Sequence, residues 1–194
     1  MSVPAPSASP LVRRYTIEEF FALDAPPPGS GHYELIAGVL YMVPPPESPH
    51  DRAVSNLNES FARYVLQHPG RCKLFVPRAA IWTPSGTYLE PDLFLVTAEQ
   101  LATWERTGRH TTGGLVVEVT SPGSAVYDRT AKADTYAALG VLELWIVTPE
   151  RATIEQRVLR DGAWGDVTVY TGSATCQSAV FAGVAATPAA VCRA

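Results

Sequence analysis

Three side chains stand out for the chemistry they could do together. They are Asp92 after Pro91, Glu118 inside the apolar run Leu115-Val116-Val117-Glu118-Val119, and Lys132 further along the chain. A carboxylate in the middle of a hydrophobic strand is costly to bury unless a cation meets it, so Glu118 calls for a partner, and a metal ion is the first candidate. Lys132 follows Asp128 by four residues and precedes Tyr136 by four, with Leu139 three beyond, so all four share one stripe of a helix. Tyr136 and Leu139 mark the packed side of that helix. Lys132 is therefore expected to lean toward the sheet, within geometric reach of Glu118. Simpler readings exist: Lys132 as a solvated partner of Asp128, Glu118 as a strand acid paired with Arg129, Asp92 as the start of a strand. Two more candidates lie upstream, Glu34 in the strand Tyr33-Glu34-Leu35-Ile36 and His50 four residues before Val54.

The elements that must position these groups follow from pattern. Tyr15 to Phe21 reads as a short helix capped by Thr16, with Glu19 as the capping-box acid. Tyr33–Ile36 and Val39–Val43 flank Ala37-Gly38 as two strands or one bent hairpin. Ser48-Pro49 opens a helix, with serine as N-cap, and Val54, Leu57, Phe61 and Tyr64 form its buried stripe up to Pro69-Gly70; His50 falls on that stripe. Three strands are expected near Lys73–Phe75, Ala79–Trp82 and Asp92–Val96, with a turn at Pro84-Ser85-Gly86. Thr97 to Thr112 suits a loop or short helix. The strand carrying Glu118 breaks at Ser121-Pro122, a helix runs from about Val126 to Leu139, and Val141–Val147 is a second strongly apolar strand. Strand, helix and strand in that order imply a parallel crossover. Asp161-Gly162 marks a hairpin between Ala152–Val158 and Val167–Tyr170, and Val180 to Ala194 suits a last strand or helix. The aromatics Phe61, Tyr64 and Trp145 fit core packing better than base stacking, since no basic residues interleave with them.

Composition bounds the function. A chain of 194 residues, 46% hydrophobic, is long enough for one domain with a substantial core. A net charge of -4 argues against a surface built throughout to hold nucleic acid and leaves room for a local basic groove. Cys72, Cys176 and Cys192 are scattered and odd in number, which speaks against a disulfide framework or a zinc site. Met1 to Pro10 has neither the charged start nor the apolar core of a signal peptide, and no stretch is long enough to span a membrane, so a cytoplasmic location is expected.

Tyr33-Glu34-Leu35-Ile36 with Gly38, Ser48-Pro49-His50, Pro91-Asp92, Val117-Glu118-Val119-Thr120-Ser121-Pro122, Asp128-Arg129 with Lys132 and Tyr136, and Glu143-Leu144-Trp145-Ile146-Val147 occur in one order. That set resembles the Uma family of restriction-endonuclease-like proteins, in the PD-(D/E)xK nuclease superfamily, over roughly Tyr15 to Val158. The resemblance implies an α/β (α+β) fold: a restriction-endonuclease-like core with a mixed central sheet flanked by helices, and an additional C-terminal hairpin. Residues 1–12 would be a disordered segment and 13–194 a single domain. It also implies an endonuclease that hydrolyses DNA phosphodiester bonds. Asp92, Glu118 and Glu34 would hold Mg²⁺ or Mn²⁺, Lys132 would orient and deprotonate the attacking water, and His50 would be a possible accessory. Cutting both strands of a duplex would call for a homodimer. The alternatives are a binding or regulatory protein that keeps the fold without turnover, or a hydrolase of RNA or another phosphoester. The chain departs from the pattern in places. Thr120 stands two residues after the acid, where the superfamily's lysine is commonest, and Glu90 precedes Pro91 where an arginine is frequent. Thr148 and Ala37 stand where aspartates are usual.

Overall fold

A computed structural model describes residues 12–193. The segment 1–12, expected to be disordered, therefore lies outside the described residues except for Val12. The chain runs α1 (Ile17–Phe21), β1 (His32–Ile36), β2 (Val39–Val43), α2 (Ser48–Gln67), β3 (Cys72–Phe75), β4 (Ile81–Thr83), β5 (Thr87–Leu89), β6 (Leu93–Thr97), α3 (Ala98–Thr107) and β7 (Leu115–Val119). A composite helix follows, made of α4 (Ala125–Tyr127), a π turn over Asp128–Lys132 and α5 (Ala133–Ala138). Then come β8 (Glu143–Thr148), β9 (Thr153–Arg160), β10 (Ala163–Trp164), β11 (Thr168–Thr171), β12 (Cys176–Gln177), β13 (Ala185–Ala186) and α6 (Pro188–Val191).

The central sheet has the order β10-β9-β8-β7-β6-β3, with β11 also pairing with β9. Every pair is antiparallel except β7 with β8, which are parallel and joined by the composite helix, as the crossover pattern predicts. Both faces of this sheet are covered, which explains why β6, β7 and β8 read as continuous apolar runs. Leu93, Leu95, Val117, Val119, Trp145 and Val147 pack under α2 and the C-terminal residues Phe181, Val184 and Val191. Phe94, Val96, Val116, Leu144 and Ile146 pack under Ala133 and Tyr136 of α5. Strand alternation puts Glu118 on the second face, beneath the helix that carries Lys132.

A smaller antiparallel sheet, β2-β1-β5-β4, flanks that face. Ala37 (φ +49°) and Gly38 (φ +81°) both adopt the left-handed region, as a two-residue hairpin turn requires, and tie β1 to β2. Two expectations change here. The turn at Pro84–Gly86 joins β4 to β5, a strand too short and too mixed to stand out in the pattern, so four strands fill the region expected to hold three. Helix α2 begins at Ser48 itself, with Glu47 as N-cap and no side-chain cap, because Pro49 already sets the helical φ without needing a bonded N–H. The capping box at α1 is as expected, and a second, Thr97 with Gln100, starts α3 in the segment read as loop or short helix. Asp161-Gly162 turns β9 into the short β10, and β11 returns to pair with the earlier part of β9.

Candidate active site

β6 begins beside the end of β7, with Leu93 opposite Val117, and this brings Asp92 next to Glu118. Asp92 Oδ2 accepts the Val119 backbone N–H at 2.8 Å, which fixes its carboxylate at the strand end. Its Oδ1 lies 3.1 Å from Nε2 of His50 on the first turn of α2. His50 thus sits against the acid pair. Burial alone would push its pKa down, but the Asp92 and Asp51 carboxylates outweigh that and raise it above the usual histidine range.

Lys132 is almost completely buried, at 3% exposed, as its place on the packed stripe predicts. Its Nζ lies 3.0 Å from Glu34 Oε2, 3.2 Å from Glu118 Oε1 and 3.6 Å from Asp128 Oδ1. The contact with Glu34 is a close ion pair without hydrogen-bond alignment, while that with Glu118 is a hydrogen bond. The Tyr136 hydroxyl donates to the same Glu118 oxygen at 2.5 Å. Arg129 does not pair with Glu118; it binds Glu155 at 2.7 Å and the Thr148 hydroxyl at 2.6 Å. Burial would lower the Lys132 pKa, yet Glu118, Glu34 and Asp128 together hold it well above the ordinary lysine range, so the ammonium stays charged. Burial pushes the Glu118 carboxyl well up, against the pull of Lys132 and with help from Asp128, Asp92 and Glu34. Asp128 is raised by burial as well, again against Lys132.

These groups border a cavity of about 270 Å³ whose walls include His50, Asp92, Glu118, Asp128 and Lys132. Glu34 is fully buried and not part of that wall. Its Oε1 accepts the Glu90 backbone N–H at 2.9 Å, so both of its oxygens are engaged inside the protein. Glu90 is partly offset by Arg78 at 3.7 Å, which softens the negative charge beside Asp92.

Asp128 enters as a buried site acid. Its shared stripe with Lys132 and its place in the motif Asp128-Arg129 were the signals in the sequence, and the π turn in which both side chains are buried was not legible there. Glu143 is fully buried on the opposite face and does not line the cavity. Five groups donate to it: Trp145 Nε1, Gln156 Nε2, Ser178 Oγ and the N–H groups of Ala179 and Val180.

Among the described residues, no three His, Cys, Asp or Glu side chains converge on one point as a ready-made metal cage. The donor set nonetheless fits a hard cation. Asp92 and Glu118 face the cavity, and the described hydrogen bonds to Glu118 all go to Oε1, leaving Oε2 uncommitted. The buried acids Glu118, Glu34 and Asp128 also outnumber the one ammonium they surround.

A mixed sheet flanked by helices, with acids at its strand ends and a buried lysine above them, places the molecule in the restriction-endonuclease-like class. The chain belongs to the Uma2 family, described as "Putative restriction endonuclease", which matches residues 17–189. Families of this kind generally use divalent metals. The fold is similar to a crystal structure from Anabaena variabilis titled as a putative nuclease belonging to DUF820, with a TM-score of 0.74 at 15% identity. The match covers 92% of this chain and 97% of that one. No curated protein matches the chain. Among the described residues, no helix is long and apolar enough to cross a membrane.

Proposed function

We propose that this chain is a metal-dependent endonuclease that hydrolyses DNA phosphodiester bonds at the cavity bordered by Asp92, Glu118 and Lys132. The observation that carries the reading is the excess of buried carboxylates around one ammonium, an arrangement that a divalent cation would neutralise. Asp92 and Glu118 would hold Mg²⁺ or Mn²⁺, and Glu34, with both oxygens engaged, is assigned to holding Lys132. When bound, the cation would supply Lewis-acid charge against the phosphate oxygens.

The chain's own groups do the rest. Lys132, charged at neutral pH, donates hydrogen bonds that orient the attacking water and adds positive charge where the phosphate's negative charge grows. Its carboxylate partners favour the charged form when no metal is bound, and a cation on Glu118 would weaken that hold and bring deprotonation of the water within its reach. His50 steadies Asp92, and Tyr136 steadies Glu118. Duplex cleavage needs two such sites, so a two-fold homodimer goes with this reading. RNA or another phosphoester would be served by the same chemistry.

Supercoiled plasmid incubated with Mn²⁺ should be cut by the native chain and left intact by Glu118→Gln and Lys132→Met. Equal cleavage by both variants would sink the assignment. The absence of three converging ligands among the described residues favours a second reading, a nuclease fold that binds without turnover. Titration calorimetry separates the two, because a chain that takes up no Mn²⁺ or Mg²⁺ at millimolar concentration is the non-catalytic one.

A further inference from the structure

Beside the site cavity lies a groove of about 410 Å³ that the proposed chemistry does not use. Its lining brings together Phe21 from α1, Trp82 from β4, Tyr88 from β5, Trp104 from α3, and the arginines Arg78 and Arg109. No aspartate or glutamate is among its described lining residues, although the chain carries 19 acids against 15 lysines and arginines. The Arg109 guanidinium lies over the Trp82 ring at 5.0 Å, and Phe21, 55% exposed, meets Trp82 edge-on at 5.4 Å. Trp104 stacks on His110 with an interplanar angle of 2°. A hydrogen bond of 2.8 Å from Trp82 N–H to the His110 carbonyl ties the two sides of the groove together. Arg78 lines both the groove and the site cavity, and it holds a left-handed φ of +78°, a conformation that a side chain as large as arginine rarely adopts.

Aromatic rings interleaved with arginines, of which Arg78 is also 3.7 Å from Glu90, suit one kind of occupant. Nucleobases stack on the rings and phosphates meet the guanidiniums, without any need for base identity. We infer that this groove is a docking platform for unpaired nucleotides next to the phosphate held in the site cavity. The inference rests on the nuclease reading for its direction and on the groove's own chemistry for its occupant. Duplex DNA fits poorly, because its bases are not free to lie on Trp82.

The test measures fluorescence anisotropy of labelled short oligothymidylate and oligouridylate in EDTA, with the native chain, Trp82→Ala and Arg109→Glu. Each variant should weaken binding by roughly tenfold, the scale of one lost base stack. Replacing one phosphate-binding arginine by an acid should also lower the slope of log affinity against log salt by at least about 0.7, a readout that a merely structural role would not move. Tighter binding of one oligomer identifies DNA or RNA as the source of the strand. Should Trp82→Ala unfold, Arg109→Glu, on a partly exposed loop, carries the test alone. Binding unchanged in Arg109→Glu, or duplex binding that falls as much as single-strand binding in that variant, overturns the inference. The two readings fail separately. Groove-dependent binding without Mn²⁺-dependent cleavage leaves the platform and removes the nuclease, and cleavage with groove-independent binding does the reverse.

Discussion

Replacing Lys132 by methionine keeps the length of the side chain and removes its charge, and the structure sets what that costs. Three carboxylates lie at 3.0, 3.2 and 3.6 Å from the ammonium. At an effective dielectric of about 20, each contact contributes roughly 5 kcal/mol before solvation is counted. Desolvation of the ammonium and repulsion among the acids cancel most of this, and removing one partner of a buried pair leaves a loss of about 3–5 kcal/mol. For a chain of this size that corresponds to a drop in Tm of about 10 °C. The loss should grow with pH. Without the lysine, Glu118 and Asp128, already held above their usual range by burial, keep their protons in the folded state at acidic pH and are forced to ionise as pH rises. Thermal denaturation at acidic and alkaline pH measures both effects, and adding Glu118→Gln to the variant should recover part of the alkaline loss. A Tm within about 2 °C of the native protein at alkaline pH would show that the ammonium is not the counter-ion of the cluster.

Other perturbations probe the parts that hold the site. His110, 7% exposed among Phe75, Phe94 and Trp104, has its pKa pushed down to about 4 by burial. Its neutral form supports the fold above the unfolded value of 6.5, and up to about 3 kcal/mol is lost as pH falls toward 4. His110→Phe should flatten stability across that window in denaturant titrations, and an unaltered slope rejects the assignment. Glu143→Gln turns one accepting oxygen into a donor against at least two of the donors around it, at a cost of about 3 kcal/mol. Amide exchange at Ala179 and Val180 should speed up, and unchanged protection would show that the carboxylate does not anchor the C-terminal segment. Gly31 has φ +103°, and a Cβ there would sit 1.8 Å from the Val43 carbonyl oxygen. Gly31→Ala should therefore force β1 and β2 apart and lower Tm, and a variant that melts like the native protein contradicts that backbone approach.

What the sequence made legible was set by burial. β7 and β8 are covered on both faces, so their apolar runs were long and the crossover between them was plain. The same burial made Glu118 conspicuous, since an acid there has no route to water. Lys132 was legible through Tyr136 and Leu139, which marked the packed face of its helix. β5 was not, because Thr87–Leu89 is short and is held between β4, across a tight turn, and the sequence-distant β1. The burial of Glu143 was not legible, because alternation with Trp145 places it on a face that only the returning C-terminal segment closes over it. The aromatic groove was invisible for a related reason. Phe21, Trp82, Tyr88 and Trp104 interleave with Arg78 and Arg109 only after four separate elements meet.

The position two residues after Glu118, where a lysine is commonest in the superfamily, shows why the helix has to deliver the charge. Thr120 is 1% exposed, and its hydroxyl donates to Thr148 Oγ1 at 3.3 Å, which in turn accepts Arg129 Nη2 at 2.6 Å. Arg129 completes the chain on Glu155. That strand position serves to pin the composite helix to β8 and β9, and an ammonium there would be set against the Arg129 guanidinium. The helix supplies the cation from the other side. An α-helical turn already puts Asp128 and Lys132 on one stripe, but the wider π turn between Tyr127 and Ala133 lets both reach the sheet while Arg129 swings away to Thr148 and Glu155. Such turns cost helix hydrogen bonds and occur often at functional sites. Here the distortion has a definable consequence, since it separates the arginine that holds the helix down from the lysine that faces the cavity.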